Sequence, residues 1–299
     1  MKRSTRVTSG AGTDSAPLLV RLRALRPSLS PAEDRVAEQV LADPRGTAAK
    51  TISELATAAT TSETTVLRFS KRLGLSGYPG LRLALAEESA HPRALATSKT
   101  DISATDSIDD VIRKISFADS SAVEETAEQL DRVALAQSAK LIASAVRVDI
   151  YGSGASAVVA ADLQQKLHRI GCLAFAWNDP HIALTSAALL GPRDIAIGIS
   201  HSGSTRETIE SISIAKAHGA RTMAITNFPL SPLAQTVDLL LTTAARETTF
   251  RSGATASRIA ALTIVDCLYI AVAQRNLRVT RKAVKSTRAA VSAHHVEND

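Results

Sequence analysis

Aromatic residues are scarce in this chain, with one tryptophan, three tyrosines and five phenylalanines among 299 residues. A surface that stacks single-stranded nucleic acid needs several exposed rings, and nine spread over the whole length do not supply one. Cysteine is scarcer still. Cys172 and Cys267 stand far apart inside apolar segments, which suits buried thiols in a reducing compartment and excludes a disulfide framework. No uninterrupted apolar run reaches the ~18 residues of a membrane span, and the polar opening MKRSTRVTSGAGTDS lacks the apolar centre of a secretion signal. The expected location is therefore the cytoplasm, with no membrane partner. The histidines, His294 and His295 included, show no zinc-ligand spacing, so neither a metal nor a cofactor is expected.

What is present suits two domains. The chain is long enough for two cores, and 45% hydrophobic with 21% charged residues excludes global disorder. The net charge of +6 is unevenly spread. Residues 1–100 hold 15 Lys and Arg against 9 Asp and Glu, residues 101–274 hold 14 against 18, and residues 275–299 hold 6 against 2. A basic front and a mildly acidic middle suggest that only one part meets a polyanion. The expected division is a disordered tail over 1–16, an all-helical domain over 17–90, a linker and connecting helix over 91–129, an α/β domain over 130–274, and a basic extension over 275–299. Residues 91–107 are rich in Ser, Thr and Ala without sustained periodicity, as a linker should be.

In the front domain, Ser30-Pro31-Ala32-Glu33 combines an N-cap serine, proline at the first helical position and glutamate at the third, so a helix begins there. Asp43-Pro44-Arg45-Gly46 is expected to stop it. Thr51-Ile52-Ser53-Glu54 starts a second, short helix, Ala59-Thr60-Thr61-Ser62 breaks it, and Ser62 caps a third that ends near Gly74. At about 100° per residue, Val66, Phe69 and Leu73 share one face of that third helix, and Thr64, Arg68, Lys71 and Arg72 share the opposite one. Two short helices joined by a tight turn, the second apolar behind and hydrogen-bonding in front, match the geometry that sets a helix in the DNA major groove. Arg68 suits guanine or phosphate, Thr64 a base edge or phosphate, and Lys71 and Arg72 the backbone.

The wider string, TISELATAATTSETTVLRFSKRLGLSGYPGLRLALAEE over residues 51–88, resembles the helix-turn-helix domain of RpiR-type transcription regulators. The resemblance runs through Ile52, Leu55, Ala56, Ser62, Thr65, Val66, Arg68, Phe69, Leu73, Gly74, Gly77, Tyr78 and Leu81. It implies double-stranded operator DNA as a partner and extends the DNA-facing set to Ser62 and Thr65. Thr61 departs from the family, which usually carries valine there.

From residue 147 the pattern changes to strand, glycine loop, helix. Strands are expected at 148–151, 172–176, 194–199, 221–226 and 238–241, with helical stretches between most of them, 157–170 among these. The fold class is α/β, a parallel sheet covered by helices on both faces. Gly152-Ser153-Gly154-Ala155-Ser156-Ala157 fits a loose dinucleotide pattern, but Asp179 comes late for the acidic residue such a site needs. The loop Ser200-His201-Ser202-Gly203-Ser204-Thr205 is more informative. It sets hydroxyls and consecutive amides at a helix start, where unpaired N–H groups and the positive dipole end face an anion, and Gly203 lets the backbone approach closely. Three charge-assisted hydrogen bonds supply roughly 5–9 kcal/mol before association costs, enough for reversible binding without a metal.

Along residues 130–272 the chain looks like a sugar isomerase (SIS) domain, on GSGAS, the run Lys166-Leu167-His168-Arg169-Ile170-Gly171, ISHSGST, and Ser231-Pro232-Leu233. The resemblance implies that Ser200, Ser202 and Thr205, with Gly203, hold the phosphate of a sugar phosphate, and that Ser153 and Ser156 contact its sugar. Asp179 and His181 match the family's Asp-x-His segment and by that match face the ligand, although His181 reads equally well as a packed core residue. SIS domains usually pair, which implies a homodimer or a higher homo-oligomer. The apolar helix around Ser257, Ile259, Leu262, Ile264 and Val265 fits core or subunit interface alike. A sugar-phosphate isomerase is the rival function, with Glu247, His201 and His181 as candidate bases. No spacing singles one out, and a free isomerase has no use for a DNA-reading domain. The sequence therefore reads as a regulator, expected to be a repressor, without catalytic residues. The cations Arg275, Arg278, Arg281, Lys282, Lys285 and Arg288 read as a solvated helical extension, with a second phosphate contact as the alternative.

Overall fold

Small hydroxyl side chains set where the helices of the front half begin. The computed structural model describes residues 18–89, 102–247 and 257–292, so the expected disordered tail and residues 91–101 of the linker lie outside it. Two compact units divide between Ser98 and Lys99.

In the first unit, α1 (Leu18–Leu25) and one 3₁₀ turn lead to α2 (Pro31–Ala42). Ser30 caps α2 in a reciprocal box: its hydroxyl accepts from the Glu33 amide, and the Glu33 carboxylate accepts from the Ser30 amide at 3.0 Å. Asp43 does end α2, but it also starts another helix. Its carboxylate accepts from the Gly46 amide at 2.8 Å and Pro44 takes the first position, so α3 (Pro44–Ala49) begins at once. A second box, Thr51 with Glu54, opens α4 (Ile52–Ala58), and Ser62 caps α5 (Glu63–Arg72); α6 (Tyr78–Ser89) follows. Thr60, in the turn between α4 and α5, has φ +49°, and the Arg35 guanidinium donates to the carbonyls of Ala59 and Thr60. These helices enclose Leu22, Val36, Val40, Leu55, Val66, Phe69, Leu81 and Leu85, all fully buried, each contributing roughly 1.5–3 kcal/mol by leaving water.

Glu33 is buried beside that core. Besides the Ser30 amide its carboxylate accepts from the Ser30 hydroxyl at 2.7 Å, Arg68 Nε at 3.1 Å and Arg72 Nη1 at 3.4 Å. Burial pushes its pKa up, but the Ser30 donors and the two guanidinium groups outweigh this and hold it below the ordinary glutamate value. One carboxylate thus joins the start of α2 to two turns of α5.

The second unit starts with α7 (Ile108–Gln129) and α8 (Arg132–Ser144). Then β1 (Val148–Tyr151), α9 (Ala155–Arg169), β2 (Ala174–Trp177), α10 (Pro180–Ala187), β3 (Ile195–Ile199), α11 (Arg206–Ala217), β4 (Arg221–Thr226), α12 (Pro232–Thr236) and β5 (Leu239–Thr242) alternate, and α13 (Ser257–Arg275) and α14 (Leu277–Ser292) close the chain. The five strands are parallel in the order β2-β1-β3-β4-β5. Helices cover both faces: Val148 and Ile150 of β1 join one core with α9 and α13, while Tyr151 joins the other beneath α10 and α11.

The length and hydropathy of α13 match those of a membrane span. Here it is a core helix, with Ala260, Ile264, Val265 and Leu268 fully buried in the core that β1 shares. Under α10, Asp149 is fully buried and accepts from Arg147, Tyr151, Trp177 and Ser186, which pins α10 to the sheet.

Because the folded pKa of Glu33 is depressed, its stabilisation is present above the ordinary carboxyl value and fades as pH falls through the folded one. Glu33→Gln, which keeps an oxygen for the capping box but loses the charge in two partly screened ion pairs, should therefore destabilise the front unit by about 1 kcal/mol at pH 7. In urea unfolding, the gap to wild type should hold above the ordinary carboxyl value and close only as pH falls below it, through the depressed folded value; a gap independent of pH would contradict this origin.

Candidate functional site

Two surfaces carry chemistry, and the first is built on α5. The Ser62 hydroxyl accepts from the Thr65 amide, which fixes where the helix starts and how it is turned. Val66, Phe69 and Ser70 are then buried, and Thr64, Leu67, Arg68, Lys71 and Arg72 are exposed. Two members of the expected DNA-facing set serve the helix itself: Ser62 is its cap, and Thr65 is buried with its hydroxyl 3.0 Å from that of Ser62. Arg68 and Arg72 are held by Glu33 from behind, and Arg72 also donates to the Ser28 carbonyl at 2.6 Å. They are positioned cations, still 62% and 39% exposed along their side chains. Leu67, which the helical-face analysis left out, lies on the same surface at 38% exposure and offers an apolar contact of the kind a thymine methyl takes. Its signal was its position, between Thr64 and Arg68 on a helix whose core is already filled.

The second surface lies at the carboxyl edge of the sheet. In a doubly wound sheet of this strand order, the loops after β1 and β3 flank the crevice where ligands bind. Those loops lead into α9 and α11, whose N-caps, Gly154 and Thr205, make no side-chain cap. In the same unit α7, α8, α10 and α12 are all capped by Ser or Asp. First-turn amides of α11 are thus left to an outside acceptor, whereas the Ser156 and Ala157 amides of α9 already donate to the Ser153 and Gly154 carbonyls.

The loop after β3 is strapped on every side. The Ser200 amide donates to Ile225, the Asn227 amide and Thr226 hydroxyl donate to the His201 carbonyl, and the Leu233 amide donates to the Gly203 carbonyl at 2.9 Å. Inside it, Ser200 and Thr205 hydroxyls lie 2.9 Å apart, the Gly203 amide donates to Ser200 Oγ, and the Ser204 amide donates to Ser202 Oγ. Gly203 has φ +63°, and a Cβ there would lie 2.0 Å from Ser231 Oγ. No other residue fits without moving the loop.

A small cleft of about 10 Å³ lies beside this loop, lined among others by Ser156, His201, Thr226, Thr243, Ser257 and Arg258. The His201 ring packs edge-on against Phe228, and its Nδ1 is buried with no partner among the described residues. Burial pulls its pKa down, only partly offset by the Glu247 charge, so the ring is neutral at pH 7 and has a nitrogen to offer a ligand. The Glu247 carboxylate accepts from the Ser257 amide at 2.9 Å, at the start of α13.

The expected ligand residues divide accordingly. Ser156 lines the cleft, Ser200 and Gly203 are buried in the strapped loop, Thr205 and Ser153 are half-buried, and Ser202 is exposed. Asp179 and His181 are not brought to this cleft. Asp179 caps α10, accepting from the Ile182 amide at 3.0 Å, and His181 is exposed beside a separate hollow lined by Arg147, Trp177, Ile182 and Leu189; it is neither core nor part of the cleft. Thr226 and Thr243 were missed, though they end β4 and follow β5, where every parallel strand delivers its last side chains to one edge. Ser257 and Arg258 carry no local sequence signal.

Comparison with known proteins identifies both domains. Residues 17–92 match the family model for the helix-turn-helix domain of the rpiR family, and residues 141–271 match that for the SIS domain. An HTH-type transcriptional regulator of Caldanaerobacter subterraneus is 36% identical over 283 residues, 94% of this chain and 99% of that one. The HTH-type transcriptional regulator RpiR of Escherichia coli is 29% identical over 270 residues, 90% of each. Among solved structures, the Vibrio vulnificus NanR protein complexed with ManNAc-6P is 30% identical, with a TM-score of 0.60 over 94% of this chain and 100% of that one. With a helix-turn-helix in its first unit and a SIS domain in its second, the chain belongs to the RpiR family of transcriptional regulators.

Proposed function

We propose that this regulator senses a sugar phosphate in the sheet-edge cleft, and that occupancy of the cleft changes how α5 holds operator DNA. The observation that carries the reading is the strapped Ser200–Thr205 loop at the uncapped start of α11, in a chain that also carries an exposed cationic helix after a tight turn. A phosphate there accepts from first-turn amides and from the hydroxyls of Ser200, Ser202 and Thr205, at no cost in reorganising the loop. Ser153, Ser156 and the neutral His201 meet the sugar hydroxyls. The ManNAc-6P held by the related NanR supports this ligand class.

On the DNA side, Arg68 and Thr64 read base edges, Leu67 packs against a thymine methyl, and Lys71 and Arg72 contact phosphates. The chain acts as a homodimer in the cytoplasm, so that two copies of α5 address half-sites about 34 Å or a multiple apart. Both cysteines are free, but Cys172 is half-buried and Cys267 exposed, so neither is the buried thiol the sequence suggested. The ligand shifts operator affinity by its preference for one state, typically ~1–3 kcal/mol, with release on binding as the direction.

It is not an isomerase in this reading. What favours a sensor is the helix-turn-helix carried on the same chain, for which a free isomerase has no use.

Gly203→Ala should abolish the rise in melting temperature that a panel of hexose and hexosamine phosphates produces in the wild type. A shift that survives this substitution would remove the loop from the site. Arg68→Ala should weaken operator binding about tenfold or more while leaving the ligand-induced melting shift intact; unchanged operator affinity would take Arg68 out of the interface. The phosphate that shifts melting most should also change operator affinity by about 5- to 150-fold and show no aldose–ketose interconversion by NMR. Turnover of that compound would favour the isomerase.

A further inference from the structure

We propose that α14 is a second DNA-backbone contact, independent of the recognition helix. This rests on the reading of the chain as a DNA-binding regulator. Over Leu277–Ser292 the helix carries Arg278, Arg281, Lys282, Lys285 and Arg288 and no carboxylate. At 100° per residue these five fall on one arc of about 120°, and all five are exposed. The neighbouring acids do not neutralise them: Asp162 and Asp266 both pair with Lys166 of α9, at 2.7 and 2.5 Å, and no ion pair joins any of the five to a carboxylate among the described residues.

The other side of the helix is docked. Thr280, Ala283, Val284 and Thr287 are half-buried, Val284 packs on the core beneath the sheet, and Ala283 sits 3.6 Å from where a Cβ on Gly171 would lie. The cations are therefore presented on a fixed rod about 15 Å long, from position 278 to 288. Duplex DNA offers one phosphate charge per ~1.7 Å of axis, so a rod of that length meets several at once. Arg and Lys without interleaved aromatic or amide side chains suit phosphates, and carry nothing to read bases.

Two other occupants fit less well. A membrane surface requires a wide free apolar face, but the apolar stripe is turned onto α9 and α13, leaving Leu277, Val279 and Val291 scattered at the rim. A second copy related by a two-fold axis would set this cationic arc against its own like charge.

The test uses the full chain, a mixed-sequence duplex of about 40 base pairs, and fluorescence anisotropy between roughly 50 and 200 mM salt. The variant R281Q/K282Q/K285Q/R288Q should lower the magnitude of the slope of log K against log salt by about 2–4, at ~0.9 per lost phosphate contact, and bind at least about tenfold more weakly at low salt. The charge-retaining K282R/K285R should keep the wild-type slope. A quadruple variant with wild-type slope and affinity overturns this inference alone, since the wild type still binds and Arg68→Ala still weakens it. Wild-type protein whose binding ignores salt overturns both this inference and the regulator reading. A change in molar mass by light scattering, with the salt slope unaltered, would instead make α14 a subunit contact and overturn the proposal.

Discussion

Every helix begins with backbone N–H groups that its own ladder cannot satisfy, and the treatment of those groups organises this protein. Ser30, Thr51, Ser62, Ser107, Asp131, Asp179 and Ser231 each lend a side-chain oxygen to the turn that follows. These caps set where α2, α4 and α5 start, and so which face of α5 is buried against the core. At α9 and α11 the side-chain cap is missing. Both helices start at the carboxyl edge of the sheet; the Ser156 and Ala157 amides of α9 bond to the preceding loop, and the open first-turn amides of α11 make that edge chemically different from the rest of the surface.

Two buried carboxylates do the complementary work of joining elements. Glu33 belongs to a cap, but its remaining acceptor capacity is filled by Arg68 and Arg72, so the same group that starts α2 orients the cations of α5. Asp149 sits in mid-strand with Arg147, Tyr151, Trp177 and Ser186 around it. A lone buried carboxylate costs several kcal/mol, so each is stable only with its donors in place. The burial and the Asp149 charge push the Tyr151 hydroxyl's pKa upward, which keeps it a donor to that carboxylate at any ordinary pH.

Much of this was legible in the residues. The reciprocal boxes at Ser30 and Thr51, the cap at Ser62, the apolar face of Val66, Phe69 and Leu73, and the alternation of strands with helices are local patterns, and each appears where its spacing put it. Some local signals carry two meanings. Asp43-Pro44 ends one helix and starts the next, because the same carboxylate can close one turn and cap another. In Asp179-Pro180-His181, a candidate ligand segment, Asp179 also caps α10. Thr65, a DNA-facing residue by the family resemblance, is buried with its hydroxyl against Ser62.

What the sequence determined by itself was the kind of each element, the polarity of each face, the parallel sheet and the family, because these depend on spacing within a few residues or on motifs. Only the tertiary structure decided which groups meet. Nothing near residue 33 says that its carboxylate will hold guanidinium groups 35 and 39 positions away. Nor does anything near 201, 226, 243 or 257 say that those side chains will share one cleft. Parallel strands deliver their ends to a common edge however far apart they lie in the chain, and hydrogen bonds and burial act through space.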